Sequence, residues 1–255
     1  MVSCYVYGVV PGEQTSTEVE DLPAVANAQE KISLIRHRKL AAVVSDMSTE
    51  RPLGTPEDLR AHARVLDTLA ATDTPVLPLR FGTVVKDAQS AGRMLADGYD
   101  HFMAALERLQ GYAQFTLNAQ YIQDAVLREV LDERPEINQL REEIKSLPEE
   151  ASYYQRIQLG QLVTEAVSSK RDMASAEIQQ YLAPLAASTA TSPPTADEAA
   201  VDLSFLVKHT QRAAFEQAAE DLARRWHGRI RLRLLGPLAP YDFVADAMAD
   251  TGEVP

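Results

Sequence analysis

Apolar residues recur in two rhythms along this 255-residue chain, every second position in some stretches and every third or fourth in others. "CYVYGVV", Cys4 to Val10, is aromatic and β-branched and runs into Pro11-Gly12, which predicts a strand closed by a turn. "KISLIRHRKLAAVVSDM" predicts two more strands around a basic turn, with Ile32, Leu34 and Ile35 in one and Leu40 to Val44 in the other. A helix is predicted to begin at Thr55, which caps. Pro56 fits its first position, and Glu57 and Asp58 lie at its positive end. Leu59, Ala63, Leu66 and Ala70 share one face and predict packing on the sheet. "TPVLPLRFGTVV", Thr74 to Val85, predicts a buried strand. A further helix follows from about Asp87 to Gln110, carrying Met94, Leu95, Phe102, Leu106 and Leu109.

Gly111 marks a boundary, because "YAQFTLNAQYI" resumes strand character at once. A helical region with breaks at Pro135 and Pro148 comes next. Its longest helix is predicted from near Glu149 to before Pro184, with Leu159, Leu162, Val163 and Ala166 on one face. "APLAASTATSPPTADEAA", Ala183 to Ala200, has little to bury and predicts an exposed, mobile loop near 184–200. "VDLSFLVKH" predicts a strand, "TQRAAFEQAAEDLARRW" a helix, and "RIRLRLLGPLAP" a strand in which Arg229, Arg231 and Arg233 alternate with Ile230, Leu232 and Leu234. The pattern therefore predicts an α+β protein of two domains, 1–110 and 111–255, the second compatible with a ferredoxin-like split βαβ arrangement.

Charge narrows the partners. With 25 basic against 37 acidic residues the formal charge is -12, so phosphate backbones and anionic lipid surfaces are repelled over most of the molecule. No nucleic-acid or membrane partner is expected. A lone cysteine, Cys4, leaves no internal disulfide to form, which fits a reducing, cytoplasmic setting. No stretch approaches the roughly 20 apolar residues of a membrane span.

Candidate chemistry is sparse. The glycines form no Walker or Rossmann spacing, and the five histidines have no histidine or cysteine partner three or four residues away, so neither a cofactor nor a metal is expected. Cys4 lacks a basic neighbour and reads as inert. The acidic pairs Glu142-Glu143 and Glu149-Glu150 read as solvated helix faces. Arg229, Arg231 and Arg233 either grip an anionic partner or lie over an exposed sheet face paired with acids, the simpler reading. His62 is the least bland histidine. Its helix precedes the strand bearing Arg80, so a pocket near His62 and Arg80 is the alternative reading as an enzyme or small-ligand binder. Arg80, inside an apolar run, is expected to be buried with an acid or backbone carbonyls in reach, because unpaired burial costs several kcal/mol.

Two segments carry a resemblance that no motif above supplies. Pro78-Leu79-Arg80-Phe81-Gly82-Thr83 matches in full the core stretch of the gas vesicle protein F/L family. Gly236, Pro237, Pro240, Tyr241, Phe243 and Val244 match that family's Gly-Pro-Trp-Pro-Pro-Tyr-x-Phe-Val run, with Leu238 and Ala239 in place of Trp-Pro. "YVYGVV", "LAAVVS", "YAQFTLNAQY", "EEASYYQRIQLGQ" and "LSFLVKH" also resemble their family counterparts, so the likeness spans nearly the whole chain. It implies two α+β domains, the second a modified ferredoxin-like fold with long helices, and no enzymatic activity or cofactor. It also implies an accessory or minor structural protein of gas vesicle formation in the cytoplasm, one that binds the hydrophobic major shell protein and other accessory proteins, with one family member placed at the gas-facing side of the shell. A linker among accessory proteins differs from this only in its partner. The residues expected to serve structure or partner contact are Arg80, Phe81, Gly82, Gly236, Pro237, Pro240, Tyr241 and Phe243.

Overall fold

A computed structural model describes residues 2–15, 17–26, 30–48, 53–192 and 199–245. The chain opens with strand β1 (Val2–Pro11) and the hairpin β2 (Ile32–His37) and β3 (Leu40–Ser48), where the β-branched and aromatic runs placed them. β1 is an inner strand of the first sheet, in the order β2-β3-β1-β4. It pairs antiparallel with β3, and the register slips between Val6 and Gly8, so Tyr7 forms a bulge. Tyr5, Val6, Tyr7, Val9 and Val10 are all fully buried.

Helix α1 (Pro56–Ala71) starts at the expected cap: Thr55 accepts the Asp58 N–H, and Asp58 returns the bond to the Thr55 N–H. Its buried face runs through Asp58, His62, Val65, Leu66, Leu69 and Ala70, whereas Leu59 is half exposed. The face is thus rotated from the expected one, because two of its inner residues are polar and apolar spacing alone cannot show them. Asp58 compensates for burial by accepting from Ala26 N–H, Gly54 N–H, Thr55 N–H and the Thr55 hydroxyl at 2.8 to 3.2 Å.

The stretch from Thr74 to Val85 is not one strand. It forms β4 (Leu77–Pro78) and β5 (Val84–Val85), both antiparallel to β1. The single helix expected over 87–110 is two, α2 (Ala88–Asp97) and α3 (Tyr99–Leu109), which meet at Gly98.

Strand β6 (Tyr112–Tyr121) leads into α4 (Gln123–Glu133), α5 (Pro135–Ser146) and the 30-residue α6 (Tyr153–Leu182). Pro135 stands at the first turn of α5 and Pro148 follows its end, as proline's missing N–H favours. Ala166, Lys170, Ala174, Ile178 and Leu182 are the buried residues of α6, one every four positions. The Lys170 ammonium is enclosed there by the carboxylates of Glu129 and Glu133, each 2.9 Å away.

Residues 188–192 are strand β7 (Ser188–Ser192) and not loop, and Ala199 and Ala200 already belong to the next strand; 193–198 of the expected loop lie outside the described residues. Threonine and serine suit an edge strand that a search for apolar content passes over. β8 (Ala199–Lys208), α7 (Arg212–Arg225) and β9 (Ile230–Leu238) complete a second sheet in the order β7-β8-β6-β9. Counted within each sheet, the two share one order: second, third, first, fourth.

Two compact units divide the chain, Met1–Phe115 with Phe205–Arg212 and Leu235–Pro255, and Thr116–Ser204 with Ala213–Leu234. Neither is continuous in sequence: among the described residues, those from Leu235 onward group with the first sheet.

Asp58→Ala removes a cap and leaves buried amides without an acceptor. It is expected to lower stability by about 3 kcal/mol in urea unfolding, with Asp58→Asn recovering part of the loss.

Candidate functional site

Proline-leucine-arginine-phenylalanine-glycine-threonine, residues 78–83, takes its shape from β1. Leu79 N–H donates to the Tyr7 carbonyl at 3.0 Å, and Val6 N–H donates to the Thr83 carbonyl at 2.9 Å, so both flanks stay on the ladder. Arg80, Phe81 and Gly82 have no counterpart on β1 and leave the sheet as a wide bulge. Gly82 has φ +86°, a left-handed conformation that costs a glycine little. The Thr83 N–H and hydroxyl both donate to the Arg80 carbonyl, at 3.2 and 2.7 Å, and close the turn.

This geometry overturns the expected burial of Arg80. Its side chain is exposed and makes no hydrogen bond or ion pair among the described residues. The apolar run suggested a buried residue; the bulge carries it out instead. Phe81 turns inward, 5.7 Å from the His62 ring and 6.2 Å from Tyr5.

His62 is the hub of an aromatic cluster. It stacks on Tyr7 at 5.7 Å and meets Tyr5, Phe81 and Tyr241 at 5.8, 5.7 and 6.1 Å. Tyr5 Oη lies 2.9 Å from His62 Nδ1 and accepts the Gly82 N–H at 3.1 Å. Tyr7 Oη accepts the Val25 N–H at 2.9 Å and pairs with the Ser45 hydroxyl. Burial pushes the His62 ring below its ordinary value near 6.5, against a smaller opposite pull from the Leu79 backbone. Burial raises both tyrosines, with hydrogen bonds opposing it.

The second motif stretch reaches the same helix from the other end of the chain. Gly236 has φ +151°, and a Cβ there would stand 2.4 Å from the Phe115 ring, so the ring occupies the space that glycine leaves. Pro237 is half-buried and Pro240 buried. Ala239 N–H donates to Asp67 Oδ1 at 2.9 Å; burial raises the Asp67 carboxyl and that bond lowers it. Asp242 and Gln114 exchange two hydrogen bonds, 2.7 Å from the Gln114 amide and 3.1 Å to its oxygen. Phe243 is buried, while Tyr241 keeps 37% of its surface exposed above His62.

The structure therefore joins Phe81, Gly82 and Tyr241 around His62 and fixes Gly236, Pro240 and Phe243 as supports, with Arg80 outside. Tyr5, Tyr7, Asp67 and Gln114 are essential to this arrangement, and sequence reasoning passed them over. Two tyrosines at alternate positions of an otherwise aliphatic strand were the available signal. The His62 ring is only 3% exposed and packed by other rings. A cleft of about 250 Å³ lies elsewhere, lined by residues such as Pro11, Lys39, Met103 and Gln110, and includes neither His62 nor Arg80. Cys4 is buried, and its thiol is pushed up to about 11 by burial and then by Asp46 and Asp87. Arg229 faces Glu129 at 3.0 Å, whereas Arg231 and Arg233 are exposed without an ion pair among the described residues. Among those residues no group of three histidine, cysteine or acidic side chains stands close enough to hold a metal ion, and no helix is long and apolar enough to cross a membrane.

Fold and cluster together define a class: an α+β scaffold in which two distant stretches are clamped on one helix and keep a solvent-facing rim. Residues 3–245 match the family described as gas vesicle synthesis protein GvpL/GvpF, and the chain belongs to that family. Gas vesicle protein F of a Streptomyces species is 30% identical over 244 residues, 95% of this chain and all of the relative. Gas vesicle protein L of the same organism is also 30% identical, over 86% of this chain and 85% of its own. The fold is similar to the crystal structure of the gas vesicle protein GvpF from Anabaena, with a TM-score of 0.79 and 22% identity over 96% of this chain and 98% of that one.

Gly82→Ala strains the backbone alone, because no atom stands within 4 Å of the added carbon, and is expected to cost about 1 kcal/mol. Gly236→Ala adds a clash with the buried Phe115 ring and is expected to cost about 3 kcal/mol. Urea unfolding of both variants checks the ranking.

Proposed function

We propose that this protein is an accessory or minor structural component of gas vesicle formation that binds the hydrophobic major shell protein during nucleation or assembly. The observation that carries the reading is the Arg80 bulge: a guanidinium displayed to solvent, held from behind by Phe81, Gly82 and Tyr5, without an internal partner among the described residues. Bulges re-aim side chains, and an arginine exposed without a bond to the described residues is available to a partner. Tyr241 adds an aromatic edge beside the same cluster.

A subunit that builds a gas-tight wall exposes large apolar surfaces before it polymerises, and these aggregate unless covered. A chain with a formal charge of -12 keeps such a complex dispersed. Apolar anchors are present in the second unit too: Leu147, Tyr153, Tyr154 and Ile157, around the start of α6, are 38 to 81% exposed. Other accessory proteins, a cytoplasmic location on gas vesicles and a place at the gas-facing side of the shell belong to this same proposal. So does a modified ferredoxin-like second domain, which the alternation of strand, helices, strand, strand, helix, strand from β6 to β9 supports.

Arg80→Ala is expected to change stability by less than about 0.5 kcal/mol, since the side chain is exposed and pairs with none of the described residues. The same variant is expected to weaken capture of the shell protein by about 30-fold, the loss of one interfacial arginine. A co-purification assay against an unrelated acidic protein checks this, and capture at the wild-type level overturns the role of the bulge.

A further inference from the structure

His62 holds both motif stretches, and the bonds around it have a direction. The Tyr5 oxygen already accepts the Gly82 N–H at 3.1 Å. Its own proton, in a fully buried side chain, needs an acceptor, and His62 Nδ1 stands 2.9 Å away. Tyr5 thus donates to Nδ1, and the ring proton sits on Nε2, on the side of the Leu79 backbone, whose pull on the ring is weaker than that of burial. The order is Gly82 N–H to Tyr5 oxygen, then Tyr5 O–H to Nδ1.

This relay works only with a neutral imidazole. We propose that His62 is an acid-operated latch, whose protonation reverses the Tyr5 hydrogen bond and releases the Arg80–Gly82 bulge and the 239–243 segment from helix α1. One added proton makes both ring nitrogens donors. The Tyr5 oxygen then receives Nδ1–H as well as the Gly82 N–H, and the Tyr5 proton loses the acceptor it had.

The surroundings do little to welcome the charge. From β1 the titratable groups facing His62 are Tyr5 and Tyr7, both held neutral by burial. The bulge and its flank contribute the neutral Phe81, the Leu79 backbone, which favours the charged ring but less than burial opposes it, and, on the outer side, the like charge of Arg80. The 239–243 segment contributes Tyr241, raised by burial and then by the Asp67 charge. On its own helix Asp58 and Asp67 flank His62; Asp58 accepts its cap bonds and Asp67 accepts the Ala239 N–H.

The sign follows from the lowered ring. Because the released form takes up the proton near 6.5 and the latched form only below it, the latch is complete above that value. It weakens as pH falls, down to the ring's own lowered value. Asp67, raised by burial, contributes with the opposite sign and in the carboxylate range.

The proposal rests on the partner-contact reading of the bulge only for its consequence in binding, and its test needs no partner. In the full-length protein, amide hydrogen exchange over 78–85 and 236–244 is measured between pH 7.5 and 4.5, corrected for intrinsic rates. Wild type is expected to lose protection in both stretches by up to tenfold per pH unit below about 6.5, while the β2–β3 hairpin keeps its own. In His62→Gln, which does not titrate, that dependence is expected to vanish. An equal dependence in the variant, or none in wild type, overturns the latch. Should the variant fold poorly, ring-nitrogen NMR of wild type decides: the Gly82 amide is expected to shift at the His62 midpoint from an Nε2–H tautomer, and a different midpoint overturns the proposal. Loss of shell-protein capture in Arg80→Ala without any pH dependence leaves the binding reading standing and this one refuted.

Discussion

Every polar group on the buried face of α1 must find a partner, and much of the first unit is arranged around that requirement. Asp58 draws the backbone at Ala26, Gly54 and Thr55 to the start of the helix. His62 takes the Tyr5 hydroxyl one turn later, and Asp67 takes the Ala239 N–H near the end. An apolar face of the same size would pack on β1 equally well, since hydrophobic contact is non-directional. Directed bonds are what choose which loops and which terminal segment lie there.

That choice explains why two short stretches about 150 residues apart mark the whole chain. Gly82 and Gly236 each stand at positive φ, the first to turn the bulge and the second to admit the Phe115 ring. Phe81 and Tyr241 then meet the same imidazole from different parts of the sequence. Each glycine serves a ring: Gly82 turns the bulge beside Phe81, and Gly236 leaves room for Phe115. The sheets show a parallel economy. Both set their first strand between the third and the fourth, and in both a helix, α1 or α7, joins the third strand to the fourth. The second inserts three helices between its first two strands, where the first has no helix among the described residues. There a buried ammonium, Lys170 between Glu129 and Glu133, pins α6 to α4.

Most elements were legible in the sequence because their signals are local. The Thr55 cap, Pro56 and the acids after it fix the start of α1, and the β-branched run from Cys4 fixes β1, whatever the rest of the chain does. The two motif stretches were legible too, though as markers and not as structure. Tertiary pairing alone decided that Arg80 points to solvent, since only the spacing of Leu79 and Thr83 bonds along β1 leaves three residues over. It alone made a strand of Ser188–Ser192, whose threonines and serines need a neighbour to declare themselves. And it alone gave His62 its surroundings, because Tyr5, Phe81 and Tyr241 reach the ring from 57, 19 and 179 residues away along the chain. Periodicity and capping act within a turn or two, so the sequence determines them unaided. Exposure and protonation depend on what long-range strand pairing brings near, and that only the folded chain decides.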